Sequence, residues 1–401
     1  MSGSYLFGLG LTGLIIISPA TADRKVVVRQ AVQQPVVTGT DATTPVITHG
    51  PYLQLPSSTS MTIVWHTDQK CVSRVEFGLN DLFDRQAVSS RHGLVDNDQT
   101  NHIIHLTDLE PGTTYQYRMV SKAFLGYERQ HIVAWGDSII SDSFEFTTLD
   151  TGKENFSFSM VSDIHERSDE LAMMIESEAW QDIDFAIYNG DMIDDFMRSD
   201  QIFTGFLDAS VDGYATGKPF IFARGNHEVR GRFARSISDF IPLKNGKAYY
   251  SFNHGPVHFI VLDSGEDKED AHRYYNGLVD FTRYREEQAR WLTEDLKSEA
   301  AQRARFRIVI SHIPPRGADR YWAESVRKHF EPPVLEAGVD LWLSGHTHRL
   351  IRIDPTEGEN NYHLLIAPTH AVTRVDVSPG ELSVTVTDTD GERLDVFTIR
   401  R

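Results

Sequence analysis

The rhythm of apolar and polar positions changes near residue 150. From about 46 to 148 the apolar stretches are short and broken by turn residues, most clearly at 61–65, 73–78, 102–106, 114–120 and 143–149. Short strands at regular turn spacing, with few helical stretches, predict a β-sandwich. From about 154 the runs are nearly continuous in apolar residues and of strand length, at 156–162, 184–189, 219–224, 257–263, 305–311 and 340–345. Helical patterns lie between several of them. The strongest is 284–301, where Ala289, Leu292 and Leu296 recur at intervals of three and four beside Trp291. Buried strands alternating with helices predict an α/β domain. After 350, the runs 362–368, 371–377, 382–388 and 394–400, with turns at Pro379-Gly380 and Asp390-Gly391, predict antiparallel strands that complete the same domain.

The chain thus divides into an all-β domain at 46–150 and an α/β domain at 151–401. Ahead of them, 23–45 is rich in Val, Thr, Gln and Pro without a core pattern and reads as a linker. Residues 6–17 form a mostly apolar stretch too short to span a bilayer, followed by Ala20-Thr21-Ala22. This predicts a signal peptide at 1–22, an exported (secreted or periplasmic) protein, and no transmembrane span after cleavage.

Charge narrows the partners. The 39 basic and 57 acidic residues leave −18, which argues against a broad nucleic-acid surface and against anionic membranes. Cys71 is the only cysteine, so no intramolecular disulfide forms and any metal site must use His, Asp, Asn or similar ligands.

Five of the apolar runs are followed at once by such ligands: Asp163-Ile164-His165, Gly190-Asp191, Gly225-Asn226-His227-Glu228, His312, and Gly345-His346-Thr347-His348. The carboxyl ends of strands form the ligand crevice of α/β sheets, so these residues are expected to converge. They suit a pair of cations. Two cations roughly 3.5–4 Å apart need a shared anion between them, and a bridging carboxylate provides one. Imidazoles and an amide oxygen complete the shells without excess negative charge.

The series DIH, GD, GNHE, SH and GHTH, in this order and spacing, resembles the calcineurin-like metallophosphoesterases over about 155–370. The all-β domain resembles a fibronectin type III domain through LEPGTTY at 109–115, with Tyr115 as a structural tyrosine corner. Placed before such a catalytic domain, and with HGPYLQL at 49–55, it resembles the purple acid phosphatase arrangement. The resemblance implies a four-layer β-sandwich flanked by helices and two metal ions of Fe, Mn or Zn type. It assigns Asp163, His165 and His348 to the first metal, Asn226, His312 and His346 to the second, and Asp191 to the bridge. It implies hydrolysis of a small-molecule or protein phosphate ester by in-line attack of a metal-activated water, with Arg224 on the phosphoryl oxygens and His227 as leaving-group acid.

One position departs from the purple enzymes, which place an iron-binding tyrosine three residues after the bridging aspartate. Here that residue is Asp194, as in the Ser/Thr phosphatase pattern, so Asp194 is expected to orient His227. Asp195 has no expected role beyond solubility. Arg230, Arg232 and Arg235 read as a solvated loop, Glu228 as support for its turn, and His254 and His258 as structural. Trp322 and Tyr321 fit a substrate wall or core packing equally. Arg224 favours monoesters, because a dianionic phosphoryl group gains from an extra cation; diesters and cyclic nucleotides are the alternatives on the same site. A non-catalytic extracellular binding protein is the rival of another class, and it would neither bind metal nor cleave esters. Because position 194 is not tyrosine, the iron-loaded protein should show no phenolate-to-iron absorption band in its visible spectrum.

Overall fold

The structure, a computed structural model, describes residues 43–401 and the backbone of Lys25–Gln30. The expected signal peptide and most of the expected linker lie outside the described residues. Lys25–Gln30 is a strand, paired antiparallel with Arg85–Arg91, so this part of the expected linker joins a sheet.

The N-terminal domain is a β-sandwich built around two long strands. Met61–Gly78 pairs through its first half with Ile47–Gln54 and Gln99–Leu106, and through its second half with Arg85–Arg91 and Thr114–Arg129. The sequence pattern predicted two strands here, because the polar stretch from His66 to Lys70 reads as a turn. The chain instead runs on, and the register with Gln99–Leu106 shifts between His66 and Cys71, where the strand passes from one layer to the other. Buried Leu53, Trp65, Val75, Phe77, Tyr115 and Tyr117 belong to this core. The Tyr115 hydroxyl accepts a bond from the Glu110 N–H at 3.0 Å, which closes the corner as expected.

The second domain has four layers. One six-stranded sheet runs Phe220–Phe222, Phe185–Tyr188, Phe156–Val161, Ala371–Ser378, Glu381–Asp388 and Arg393–Arg400. The other runs Tyr250–His254, Val257–Val261, Phe306–Ile310, Leu341–Ser344, His363–Ile366 and Ile351–Ile353. Strand period explains the near-continuous apolar runs. Phe185 and Ile187 face the other sheet while Ala186 and Tyr188 face outward; Leu341 and Leu343 point in while Trp342 points out. Both faces of Phe185–Tyr188 and Leu341–Ser344 are covered, so alternation of polar and apolar residues disappears there.

Two expectations need adjustment. His363–Ile366 pairs parallel to Leu341–Ser344, and is antiparallel only to Ile351–Ile353. The helix expected at 284–301 is two helices, Phe281–Asp295 and Glu299–Arg303. Ser298 breaks it by capping the second helix, accepting a bond from the Ala301 N–H.

The sandwich packs on the outer side of the first sheet. Tyr52 donates to the Phe240 carbonyl at 2.8 Å, Gln54 to that of Phe220 at 3.1 Å and Tyr117 to that of Thr216 at 2.7 Å. The His49 ring stacks on Phe203 with centroids 3.7 Å apart. No helix among the described residues is long and apolar enough to cross a membrane. Tyr115→Phe would remove the bond to the Glu110 N–H, and should lower stability by about 0.5–1.5 kcal/mol in denaturant unfolding while leaving catalysis unchanged.

Candidate metal centre

The site lies where seven parallel strands end. Phe156–Val161, Phe185–Tyr188 and Phe220–Phe222 run parallel in one sheet, and Val257–Val261, Phe306–Ile310, Leu341–Ser344 and His363–Ile366 in the other. The turns after them are joined by backbone bonds. Asp163 N donates to Gly190 O, His165 N to Asp191 O and Gly345 N to His312 O, at 2.9–3.0 Å.

Local packing demands glycine at two of these turns. At Gly225 a Cβ would press into the Asp191 carboxylate, and at Gly345 into Ser162 and Asp163. Neither has positive φ, so close approach and not turn geometry is the reason. The Glu228 carboxylate ties the Gly225 turn to the Asp191 turn, accepting from the N–H groups of Asp191 at 3.0 Å, Met192 at 2.7 Å and Gly225 at 2.8 Å. Burial first, and then the Asp191 charge, push the Glu228 pKa up to about 7.

The expected ligands come together. Three groups of His and carboxylate atoms each fall within 4.8 Å: Asp163, His165 and His348; His165, Asp191 and His227; Asp191, His312 and His346. Asp191 and His165 each belong to two of them. Among the expected ligands four buried atoms make no hydrogen bond, Asp163 Oδ1, His165 Nε2, Asn226 Oδ1 and His312 Nε2, and His227 Nδ1 beside them makes none either. Unpaired buried polar atoms are rare and call for a partner. His312 Nε2 lies 3.0 Å from Asp191 Oδ2 without bonding geometry, while its Nδ1 donates to the Asn189 carbonyl at 2.7 Å. That bond fixes the tautomer and leaves Nε2 free to coordinate, as in metal-binding histidines. The donor set of imidazoles, carboxylates and one amide therefore fits borderline or hard cations.

Charge and backbone point the same way. Asp163 and Asp191 are buried, 0% and 2% exposed. Burial alone would lower the His312 pKa, but these two carboxylates overcome it and push it up to about 10. His346 is held down to about 4, by burial and then by His312. Asp163, His165, Asp191, His346 and His348 all have positive φ, between 48° and 71°. Left-handed backbone costs roughly 1–2 kcal/mol for each such residue and gathers at functional sites.

Two expected catalytic contacts are different in the structure. Asp194 does not meet His227. Its Oδ1 lies 2.9 Å from His165 Nδ1, whereas Asp195 Oδ1 lies 3.3 Å from His227 Nδ1. The turn after Asp191 carries the second of the two adjacent carboxylates to His227, so the three-residue spacing picks the wrong one. Asp195 also accepts from the Tyr274 hydroxyl at 2.7 Å and is therefore no bystander. Arg224 is not directed at the ligands. It pairs with fully buried Asp263 at 2.5 Å, which also accepts from Tyr284, because the strand end at Phe222 turns this side chain away from the metal-type residues.

Arg230, expected in solvent, is 10% exposed and held by Glu266 and Asp267 at 2.6–2.9 Å. No periodicity marks it, although the acidic run after 263 could have suggested a partner. Trp322 sits edge-on to His346 with centroids 4.8 Å apart and also packs, partly buried, against the core around Trp342 and Phe330, so core packing holds for it beside the contact with the site. His254 bonds Asp184 and His258 bonds Asp295, both structural as expected.

Comparison with known proteins agrees with this geometry. Residues 156–350 match the calcineurin-like phosphoesterase model and residues 49–148 the purple acid phosphatase N-terminal domain model. Purple acid phosphatase 18 of Arabidopsis thaliana is 26% identical over 34% of this chain and 32% of its own length. Human serine/threonine-protein phosphatase CPPED1 is 29% identical over 33% of this chain and 42% of its own. The matches thus span well under two thirds of these relatives. The structure of purple acid phosphatase PPD1 from yellow lupin superposes with a TM-score of 0.64 at 15% identity, covering 90% of this chain and 75% of that one, which shows a shared fold. The chain thus carries a calcineurin-like phosphoesterase domain at 156–350, preceded at 49–148 by the N-terminal domain of the purple acid phosphatases.

Proposed function

We propose that this protein is an exported hydrolase of phosphoric esters that holds two cations. One would sit at Asp163, His165 and His348 and the other at Asn226, His312 and His346, with Asp191 between them. The observation that best supports this is the meeting of five distant segments at buried ligand atoms that bond nothing in the protein. Bound there, the cations would supply Lewis acidity toward the phosphoryl oxygens and a nucleophilic water.

The chain's own groups do the rest. Asp163 and Asp191 fix the charge of the site, and Glu228 and the Asn189 carbonyl hold its turns and the His312 tautomer. His227 turns Nε2 toward Asp191, 4.0 Å away, and Nδ1 toward Asp195. With Asp195 Oδ1 lying 3.3 Å from Nδ1, the proton for the leaving oxygen would reside on Nε2. Burial lowers the His227 pKa, with Asp191 pulling the other way, so the imidazolium is the stronger acid. Asp195 replaces Asp194 as the orienting carboxylate, and Arg224 has a structural role.

With Arg224 paired to Asp263, the preference for monoesters rests on the relatives, which bear the name phosphatase. Export is supported by the apolar stretch 6–17 and the Ala20-Thr21-Ala22 site. Metal analysis of the purified protein, coupled to assays on a monoester, a diester, a cyclic nucleotide and a phosphoprotein, tests this reading. A protein that binds no metal and cleaves none of them would be the non-catalytic binding protein instead.

His227→Asn should retain its metal and lose about 10²–10⁴-fold in kcat; loss of metal on purification would show that His227 is a ligand. Asp194→Asn should act on retention of metal, because it loosens the ring that presents His165 Nε2. A chelator titration should show about 10–100-fold weaker binding, whereas Asp195→Asn should keep wild-type metal affinity and lower kcat.

A further inference from the structure

Residues 262–280, between Val257–Val261 and Phe281–Asp295, contain no helix or strand. This exceeds the about 12–15 residues beyond which unstructured connections are uncommon and tend to be functional. The segment is held at its base. Buried Arg285 donates to the carbonyls of Ser264 and Glu266, and the Asp270 carboxylate accepts from Phe281 N and Thr282 N at 2.9 and 3.0 Å. It is also tied to the turn that carries His227. The Arg230 N–H donates to the His227 carbonyl at 3.1 Å, and the Arg230 guanidinium holds Glu266 and Asp267 at 2.6–2.9 Å. The Arg230 carbonyl in turn accepts from Phe196 N at 2.9 Å, next to Asp195. Three segments far apart in the chain are therefore locked around one carboxylate.

That carboxylate is Asp195. Its Oδ1 lies 3.3 Å from His227 Nδ1, a nitrogen that makes no hydrogen bond, and 4.0 Å from Arg230 Nη1. Its Oδ2 accepts from the Tyr274 hydroxyl at 2.7 Å. With one oxygen tied, the direction of the other is set. The Asp195 side chain is 31% exposed, so without that bond water would free it to turn toward Arg230. Tyr274 is itself placed by the loop. Its N–H donates to His272 Nδ1 at 3.3 Å, buried Tyr275 beside it donates to Glu266 at 2.6 Å, and the Arg230 guanidinium lies 5.5 Å from its ring centre, within cation–π range. The bond to Asp195, and then burial, push the Tyr274 pKa up, so the phenol stays protonated and remains a donor.

We infer that Tyr274 is a positioning residue for the leaving-group acid: its hydroxyl holds the Asp195 carboxylate in the rotation that faces His227 Nδ1, and so keeps the His227 ring in one orientation. This rests on the proposed ester hydrolysis and goes beyond it by adding a residue that acts through Asp195 alone. The role is specific to proton donation. An alkoxide leaving group needs the proton as its bond to phosphorus breaks, whereas p-nitrophenolate departs as a stable anion without it. A loosened acid ring therefore slows the first class of ester far more than the second.

The test compares glycerol phosphate with p-nitrophenyl phosphate on the metal-loaded protein. Tyr274→Phe removes the hydroxyl alone and keeps the ring against Arg230. It should lower the ratio of kcat on the alkyl ester to kcat on the aryl ester roughly tenfold, part of the about 10²–10⁴-fold that general acid catalysis contributes, with both KM values and the metal content unchanged. Asp195→Asn should lower the same ratio, and adding Tyr274→Phe to it should lower it no further, because the two act as one unit. His227→Asn, which removes the acid, should lower the ratio as well. If it does, then an unchanged ratio in Tyr274→Phe, an equal fall on both esters, a change confined to KM, or losses that multiply in the double variant overturns the positioning role alone. If His227→Asn instead slows both esters equally, the acid role falls and the positioning role with it. Hydrolysis of neither ester, nor of any other phosphate ester, overturns the hydrolase reading and all that rests on it.

Discussion

Two carboxylates buried side by side govern this protein. Asp163 and Asp191 sit at strand ends with almost no exposure, and both approach His312 Nε2. Removing such charges from water costs several kcal/mol each unless positive charge is close. The protein alone answers with a protonated His312, whose pKa is driven up to about 10. An imidazolium there would block the very nitrogen that the Asn189 carbonyl leaves available for coordination. A cation would resolve the conflict, because both carboxylates and the neutral His312 ring could hold it. The unpaired Asn226 Oδ1 and His165 Nε2 then find a partner as well.

The fold supplies the rigidity that this arrangement needs. Phe158, Phe185, Phe259, Ile308 and Leu343 pack between the sheets and fix the strand ends directly beneath the ligands. Five ligand residues are held in left-handed backbone, and only a scaffold that over-determines these turns can keep them there. Glu228 contributes in the same sense. It has no free oxygen to give a metal, since it is spent on three backbone N–H groups of two turns. The N-terminal sandwich adds support at one remove, through Tyr52 on the Phe240 carbonyl and Phe240 against Phe196, which follows the Asp194-Asp195 pair.

The sequence made the strand-end ligands legible because three facts coincide in it. A continuous apolar run marks a strand covered on both faces, the ligand types follow it immediately, and parallel strands must end on one edge. Partners across the cleft had no such signature. The spacing after Asp191 pointed to Asp194 as the partner of His227, but a turn has no period, and a shift of one residue exchanged the roles of two identical side chains. Arg224 and Arg230 failed for a related reason. Whether an arginine faces a crevice, a buried aspartate or solvent depends on the rotation of the chain at a strand end, which composition does not encode. The polar stretch from His66 to Lys70 hid a continuous strand because a crossing between sheet layers and a turn use the same residues.

Asp194 and Asp195 show why that single-residue shift matters. Neighbouring side chains on a non-helical segment diverge, so one short stretch can serve two rings whose centroids are 4.8 Å apart. His165 takes the first carboxylate and His227 the second. In the proposed mechanism metal retention and proton donation would therefore depend on adjacent positions of one turn, and that turn is fixed by Glu228 on one side and by Tyr274 and Arg230 on the other. Anything that slides the turn by one residue would withdraw both partners at once. On the proposed roles the acidic cluster would thus be a coupling element: it holds the His165 and His227 rings in step, and Tyr274 grips the same turn through Asp195.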